Sequence, residues 1–384
     1  MKKLKAVLLS PWLALITFGL LLSVKVSDPY LVEMTRLKFY DYLMIGKPIK
    51  SDQIVVADIS EKAIEKYGQY PFPRKVHAEI IKDLYNHGAG LVGYSIMFPE
   101  PDRFGTDNSL SSVLDAAPIV LSQTVSPTCS RDNTNTRKTG VAVIGDGQPT
   151  AFLPDYPCVL DNIPAFQQKA AGVGITSTLP EADGVVRRVP LLATSKGEFF
   201  PAFSLEMLRV AAGDPSYQAK INETGVEALR IPQFNTIKTD EYGRVFVNWN
   251  YKFDQVDLGG DIPDLSGKIV LVGVTAAGIS NPVPTPAGGQ FPHSVQASVL
   301  QTVIFGYINK GYEVIMMGDF NDFDAEVPDI NGNKPTSRVL DILKGNDGDM
   351  GGKYQLQNIA EEMQQKDRYS DWYNSDNNCA TSSQ

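Results

Sequence analysis

The sequence predicts an α/β fold: a layered, mixed and partly parallel sheet with flanking helices, preceded by one N-terminal transmembrane helix. Two observations predict the sheet. Apolar runs without polar alternation, such as residues 54–59 and 267–275, are typical of strands buried on both faces. Amphipathic helical patterns separate these runs, as expected when helices cover a parallel sheet. A third observation, a charge-free N-terminal segment, predicts the transmembrane helix.

The N-terminal segment has the length and charge pattern of a membrane anchor. Residues 6–24 are 19 consecutive positions without a charge, preceded by three lysines. A helix of about this length crosses a hydrocarbon core. The positive-inside rule keeps the lysines in the cytoplasm and the rest of the chain outside. A cleaved signal peptide is the alternative, but no small-x-small cleavage site follows. We expect residues 1–25 to anchor a single-pass inner-membrane protein whose main domain is periplasmic.

The elements that follow alternate between strand and helix patterns. Strands are predicted at residues 54–59, 91–98, 119–121, 245–247 and 267–275, and helices at 76–84, 109–116, 203–212 and 294–305. Gly88 is placed as the C-terminal stop of the first helix. Asp183 and Gly184 predict a hairpin turn between two strands. Arg187 and Arg188 are neighbours on one strand, so they point to opposite faces and form no joint clamp.

The charge is distributed unevenly along the 384 residues. Residues 307–384 carry 7 Lys and Arg against 14 Asp and Glu, whereas residues 1–306 are nearly balanced with 28 against 30. This change divides the chain near Gly306. Neither part has a basic patch that would neutralise phosphates, so we expect no nucleic-acid partner.

Two of the three cysteines flank a segment rich in Gly, Asn, Thr and Pro. Cys129 and Cys158 are candidates for a disulfide, which a periplasmic compartment permits. Closing a loop of this size would contribute about 3 kcal/mol by the chain-entropy argument. Two unpaired thiols are the alternative.

Several spaced segments together resemble the CHASE2 domain, an extracytoplasmic sensor module of bacterial signalling proteins. The segments are GQYPFPRKVHAEIIKDLYNHGA, FPEPDR, ADGVVRRVPL, FPAFSLEML, DEYGRVFVNW and LSGKIVLVGVTAAG. The resemblance covers about residues 26–305. It implies a sensory module for a small-molecule ligand or another stimulus. In this family three further membrane helices and a cyclase or kinase output usually follow, and we expect this chain to lack that output. A homodimer or a separate signalling protein is the expected partner, besides the membrane.

Candidate ligand-binding residues lie at strand ends and at one helix start. Asp58, Glu100 and Asp102 lie at or just after strands, where open α/β sheets tend to bind ligands. Arg74 and His77 lie at the start of the first predicted helix, where free backbone N–H groups favour an anion. Capping, ion pairing and turn formation are the alternatives for all five. No cofactor and no metal are expected for the sensor, since the spacing of these carboxylates matches no calcium loop.

Residues 306–384 resemble a fragment of the endonuclease/exonuclease/phosphatase family. In the segment YEVIMMGDFNDFD an apolar strand pattern ends on Asp319 and Asn321. The resemblance implies that these two residues hold water and phosphate beside Mg²⁺ as the catalytic set of a metal-dependent phosphodiesterase. That family also needs a metal-binding Glu and catalytic His residues, yet no His follows His293. We therefore expect an incomplete, inactive fragment, and a sensor rather than an enzyme.

Overall fold

The computed structural model describes residues 29–128 and 139–305, with a few further positions between 15 and 27. Most of the predicted anchor, residues 1–25, lies outside the described residues. Cys129 and the segment 306–384, with Asp319 and Asn321, lie outside them as well. Within the described part of the chain, no helix combines the length and the hydropathy needed to span a membrane.

Seven α-helices and seventeen strands are formed by the described residues. The helices are α1 (Tyr30–Met44), α2 (Glu61–Tyr67), α3 (Arg74–Asn86), α4 (Asp107–Ala116), α5 (Pro164–Gln167), α6 (Phe203–Ala211) and α7 (Pro292–Phe305), with a 3₁₀ turn at Pro149–Ala151. The first strands are β1 (Ile49–Ile59), β2 (Leu91–Tyr94), β3 (Ile119–Ser126), β4 (Gly140–Ile144), β5 (Cys158–Leu160), β6 (Gly172–Ile175), β7 (Arg188–Pro190), β8 (Leu192–Ser195) and β9 (Glu198–Pro201). The remaining strands are β10 (Ser216–Asn222), β11 (Gly225–Ile231), β12 (Asn235–Lys238), β13 (Arg244–Phe246), β14 (Tyr251–Asp257), β15 (Ile269–Val274), β16 (Val283–Thr285) and β17 (Gly288–Gln290).

A seven-stranded sheet forms the centre of the fold. Its order is β14-β1-β15-β2-β3-β5, with β6 beside β3. Every neighbouring pair is parallel except β3 with β5, which is antiparallel. The prediction of a mixed, partly parallel sheet with flanking helices is therefore confirmed.

Both faces of this sheet are buried, which explains the uninterrupted apolar runs. On one face Val55 and Ala57 of β1 pack with Ile80 and Ile81 of α3. On the other face Ile54 and Val56 pack into a core that includes residues of α6 and α7. Successive residues of a strand point to opposite faces of the sheet. A strand that is buried on both faces therefore has no solvent-exposed side on which polar residues would alternate.

The second core extends away from the sheet into smaller β units. A four-stranded sheet has the order β12-β11-β10-β4, and the pairs β13-β7, β8-β9 and β16-β17 complete the fold. Apolar side chains of β10 and β11, such as Tyr217 and Leu229, belong to the same core as α6 and α7.

Two details of the predicted elements are wrong. The second strand ends at Tyr94 rather than at residue 98, because the chain leaves the sheet and Phe98 N–H binds the side chain of Asn162 instead. Asp183 and Gly184 do form a turn, closed by the bond from Gly184 N–H to the carbonyl of Glu181. That turn joins no hairpin, because β6 belongs to the central sheet and β7 pairs with β13.

Candidate functional site

The connections after β1 and β15 leave the sheet on opposite faces. The chain after β1 enters α2 and α3, which cover one face, while the chain after β15 leads to α7 on the other. The two strands are parallel neighbours. A crevice is expected at the carboxyl ends of such a pair, where open α/β sheets bind ligands. We use the name β1/β15 crevice for the carboxyl ends of these two strands and the side chains that lie against them.

A buried histidine paired with a partly exposed aspartate lies at the β1/β15 crevice. Asp58, near the end of β1, has its carboxylate Oδ1 2.8 Å from Nε2 of His293, in the first turn of α7. The His293 side chain is 1% exposed and that of Asp58 17%. A carboxylate only accepts hydrogen bonds, so Nε2 carries a proton and donates it to Asp58.

Gly273 provides the space for this histidine. It is the residue of β15 that pairs with Asp58. A Cβ atom at Gly273 would lie 2.0 Å from Nδ1 of His293, well inside van der Waals contact. The imidazole therefore rests directly on the backbone of β15, and any larger residue at Gly273 would displace it.

Two further carboxylates lie at the rim of the crevice. Asp257, which pairs with Asp58 from β14, accepts a hydrogen bond from the Ser60 hydroxyl at 2.7 Å. Glu61 accepts one from Ala277 N–H at 2.7 Å, and this bond lowers the pKa of the Glu61 carboxyl. The rim is therefore anionic and favours ligands that donate hydrogen bonds or carry positive charge. Among the described residues no group of three His, Cys, Asp or Glu is placed to hold a metal ion.

Helix α7 carries polar contacts from the crevice to its last turn. Gln296 accepts a hydrogen bond from the backbone N–H of Ser204 at 3.1 Å, and Gln301 accepts one from the buried Ser51 hydroxyl at 2.5 Å. Both glutamines are buried. Buried polar groups of this kind are costly to unpair, so each contact fixes the position of the helix.

The last turn of α7 is joined to the end of α1. The Thr302 hydroxyl accepts a hydrogen bond from Asn248 N–H at 3.0 Å. Two residues on, the Asn250 amide donates to the carbonyl of Met44 at 2.9 Å and accepts from Gly46 N–H at 2.7 Å. The segment 248–250 thus connects the helix that begins in the crevice with the helix that follows the N-terminal segment.

Helix α1 is also held by a buried arginine. The guanidinium of Arg187 donates two hydrogen bonds to Asp41 of α1, at 2.6 and 2.7 Å, and two to Asp183, at 2.8 and 2.7 Å. Its side chain is 0% exposed. These bonds from Arg187 hold the pKa of Asp183 well below its usual range. Arg188 donates to Glu181 at 2.7 Å, and Nη1 of Arg187 lies 3.7 Å from the same carboxylate. The prediction that the two arginines form no joint clamp is therefore wrong at Glu181, which both side chains contact.

Three of the predicted ligand residues meet at the start of α3. The Asp102 carboxylate accepts hydrogen bonds from the backbone N–H groups of Arg74, at 3.2 Å, and Thr106, at 3.1 Å. Burial opposes ionisation, but these bonds and that of the Thr106 hydroxyl lower the pKa of Asp102. Glu100 takes part through its carbonyl, which accepts from the Arg74 guanidinium at 2.8 Å. The N-terminus of α3, which we predicted to bind an anion, is therefore already occupied by the Asp102 carboxylate of the same chain.

His77 lies in the core beneath this loop. Its Nδ1 is 2.7 Å from the hydroxyl of Tyr94, and the ring is surrounded by aromatic side chains such as Phe72 and Phe98. Burial, together with the charge of Arg74, lowers the pKa of His77 to about 3. The imidazole is therefore neutral at physiological pH, and its position is that of a packed core residue.

The structure thus divides the five predicted ligand residues. Arg74, Glu100 and Asp102 form one hydrogen-bonded group, and Asp58 instead pairs with His293, which sequence reasoning missed. His293 had no clear signal in the sequence, because β16 and β17 separate the apolar strand β15 from the start of α7. Asp41 was missed as well, and the sequence holds no signal for it either.

The cysteine prediction is tested only in part. Cys158 is disulfide-bonded, and its strand position pairs with Ser126, three residues before Cys129. Cys129 lies outside the described residues, so its pairing with Cys158 stays a prediction.

Comparison with protein families gives one result. Residues 13–317 match the family described as CHASE2 domain. Comparison with curated proteins gives no match, and comparison with solved structures gives none either.

Proposed function

Because the chain belongs to the CHASE2 domain family, a sensory family of signal-transduction proteins, we propose that it is an extracytoplasmic sensor whose β1/β15 crevice binds the stimulus. The family is extracytoplasmic, which is consistent with a periplasmic domain. Residues 6–24 would anchor it in the inner membrane in a single pass, as their length and flanking lysines support.

The observation that carries the proposal is the position of His293. Its side chain lies in the crevice, while the helix that bears it is 14 residues long and ends at Phe305. At about 1.5 Å per residue this helix spans about 21 Å. A ligand that changes the contact between His293 and Asp58 acts on one end of α7, and the other end contacts Asn248. The ligand thereby shifts the equilibrium between two packing arrangements of α1 and α7.

The proposed ligand is a small polar molecule that donates hydrogen bonds or carries a positive charge. The carboxylates of Asp58, Asp257 and Glu61 surround the crevice, and such groups bind donors and repel anions. The sensor itself needs no cofactor in this proposal. The output is supplied by a partner, either a second copy or a separate signalling protein.

Thermal-shift measurements on the purified chain test the binding site. Amines, amino acids and sugars are screened against the wild type, Asp58→Asn and the control Asp254→Asn, an exposed carboxylate of β14 that pairs with Lys50. The proposal expects a ligand that raises Tm of the wild type and of the control but not of Asp58→Asn. Equal stabilisation of all three proteins, or stabilisation of none by the whole panel, contradicts the proposed site.

Cysteine labelling in intact cells tests the location. Lys82, exposed on α3, is replaced by Cys in a Cys379→Ser background. A membrane-impermeant maleimide should label Lys82→Cys in intact cells, because the domain is proposed to be periplasmic. Labelling only after lysis would contradict this location.

The phosphodiesterase alternative for residues 306–384 stays a prediction. Asp319 and Asn321 lie outside the described residues, and the family match ends at residue 317. Mg²⁺-dependent cleavage of a phosphodiester by the purified chain, abolished by Asp319→Ala, would favour this alternative. No cleavage with Mg²⁺ is expected if the segment is an inactive fragment.

A further inference from the structure

Helix α1 has one face against its own domain and the opposite face in solvent. Tyr40 packs against Phe246, Asp41 binds Arg187, and Leu37 is buried. The residues of α1 from Leu31 onward that are not exposed are Glu33, Met34, Leu37, Tyr40, Asp41 and Met44. They recur at the spacing of a seven-residue repeat, which makes one continuous docked stripe.

The solvent face of α1 is apolar. Leu31, Phe39 and Tyr42 are exposed by 76, 60 and 80%, and Val32 and Leu43 lie beside them. Val32, Thr35, Phe39 and Tyr42 follow the alternating three- and four-residue spacing of a two-helix seam. We call these six exposed residues, Leu31, Val32, Thr35, Phe39, Tyr42 and Leu43, the α1 seam.

We propose that the α1 seam is the contact between two copies of this chain, packed as a parallel helix pair. A second copy is favoured over other occupants on the basis of the proposed anchor, because only five residues separate residues 6–24 from the start of α1 at Tyr30. Two chains anchored by that segment present α1 in the same orientation, as a parallel pair requires. This inference is independent of what binds in the crevice.

The charges beside the α1 seam agree with self-association. Arg36 pairs with Glu33 of its own helix, and Lys38 lies 3.5 Å from Asp183. The two cations that flank the seam therefore have anionic partners within their own chain, which reduces repulsion between copies. A helix lying on a membrane surface would instead keep its charged face in water. In α1 the face opposite the seam is docked against the domain, so it does not lie in water.

The area is sufficient for a weak, membrane-assisted dimer. Two aromatic residues of about 150–250 Å² each and three aliphatic ones, largely exposed, offer on the order of 500 Å² per copy. A pair would bury about 1,000 Å², the lower limit for a specific interface. Anchoring both copies in one membrane raises their effective concentration and compensates for the modest area.

Disulfide cross-linking of the full chain in membranes tests the proposal. Thr35→Cys and Tyr42→Cys are made in a Cys379→Ser background, with Lys82→Cys as the exposed control on α3. Oxidation should give a band of twice the chain's mass for the two seam variants and not for the control. Equal cross-linking of all three, or of none, overturns the proposal.

A second measurement separates a dimer from a lipid contact. Phe39→Glu should reduce the cross-linking of Thr35→Cys at least fivefold, whereas Lys82→Glu should leave it unchanged. The variants that carry Phe39→Glu or Lys82→Glu should unfold at the same temperature as the Thr35→Cys protein, because Phe39 and Lys82 are exposed. Protection of Thr35→Cys from a water-soluble maleimide without any cross-linked band would assign the face to lipid and overturn the proposal.

Discussion

The imidazole of His293 lies 2.8 Å from the carboxylate of Asp58, and it connects the first turn of α7 to the end of β1. These residues are 235 positions apart in the sequence. The contact therefore closes the fold at the carboxyl edge of the central sheet. It also places an acid–histidine pair at the beginning of a helix whose last turn contacts the segment 248–250, which in turn binds the end of α1.

Removal of the Asp58 carboxylate should loosen α7. Asp58→Ala leaves the buried Nε2 of His293 without an acceptor, and we expect a loss of about 1–3 kcal/mol in the free energy of unfolding. Asp58→Asn retains an acceptor oxygen and should lose less. Urea unfolding followed by circular dichroism measures both values. An equal loss in the two variants would show that the hydrogen bond contributes little.

Gly273 should tolerate no side chain. In Gly273→Ala the new Cβ would lie 2.0 Å from Nδ1 of His293, so the ring must move. We expect the free energy of unfolding to fall by about 1–3 kcal/mol, as it does in other overpacked cores. Gly140→Ala is the matched control, because no atom lies within 4 Å of its Cβ position and its φ is not positive. Equal urea midpoints for the two variants would contradict the close packing of His293.

Helix α1 should detach more readily when Asp41 is replaced. Asp41→Ala removes two of the hydrogen bonds made by the buried guanidinium of Arg187 and leaves the two to Asp183. A loss of about 2–3 kcal/mol is expected for hydrogen bonds to a charged group. Limited proteolysis should then cut near residues 45–48 faster than in the wild type. Unchanged proteolysis and stability would show that other contacts hold α1.

The buried His77 should make the stability depend on pH. Its pKa is about 3 in the folded chain and about 6.5 in the unfolded chain. Between these values the unfolded state binds more protons, so stability falls as pH decreases, by up to about 1.4 kcal/mol per pH unit. Above pH 6.5 this contribution is constant. His77→Asn should reduce the slope between pH 6.5 and 3, whereas His87→Asn, at an exposed histidine, should leave it nearly unchanged.

Local patterns predicted the layers of the fold better than its long-range contacts. The apolar runs around Val56 and Leu271 indicated doubly covered strands, and the helix after Pro73 ends at Asn86, two residues before the predicted stop Gly88. The lengths of the apolar runs and the turn residues between them could not show that β7 pairs with β13, because the choice of strand partner depends on tertiary packing.

The candidate site was predictable only from its strand side. Asp58 follows an apolar run, and strand ends of this kind are a general location for ligands. Its partner His293 is distant in sequence, and one sequence does not reveal which residues meet. The same holds for Asp41 and Arg187, whose pairing follows from how α1 docks.

Hydrogen exchange of the full chain, wild type against Asp58→Asn, tests most directly whether the crevice communicates with the terminal helices. The account predicts faster exchange in three places: the first turn of α7, its last turn around Thr302, and residues 44–46 with 248–250. Asp254→Asn should change none of these. Faster exchange confined to residues 56–60 and 291–295 would contradict the account, because the crevice would then be structurally isolated from both terminal helices.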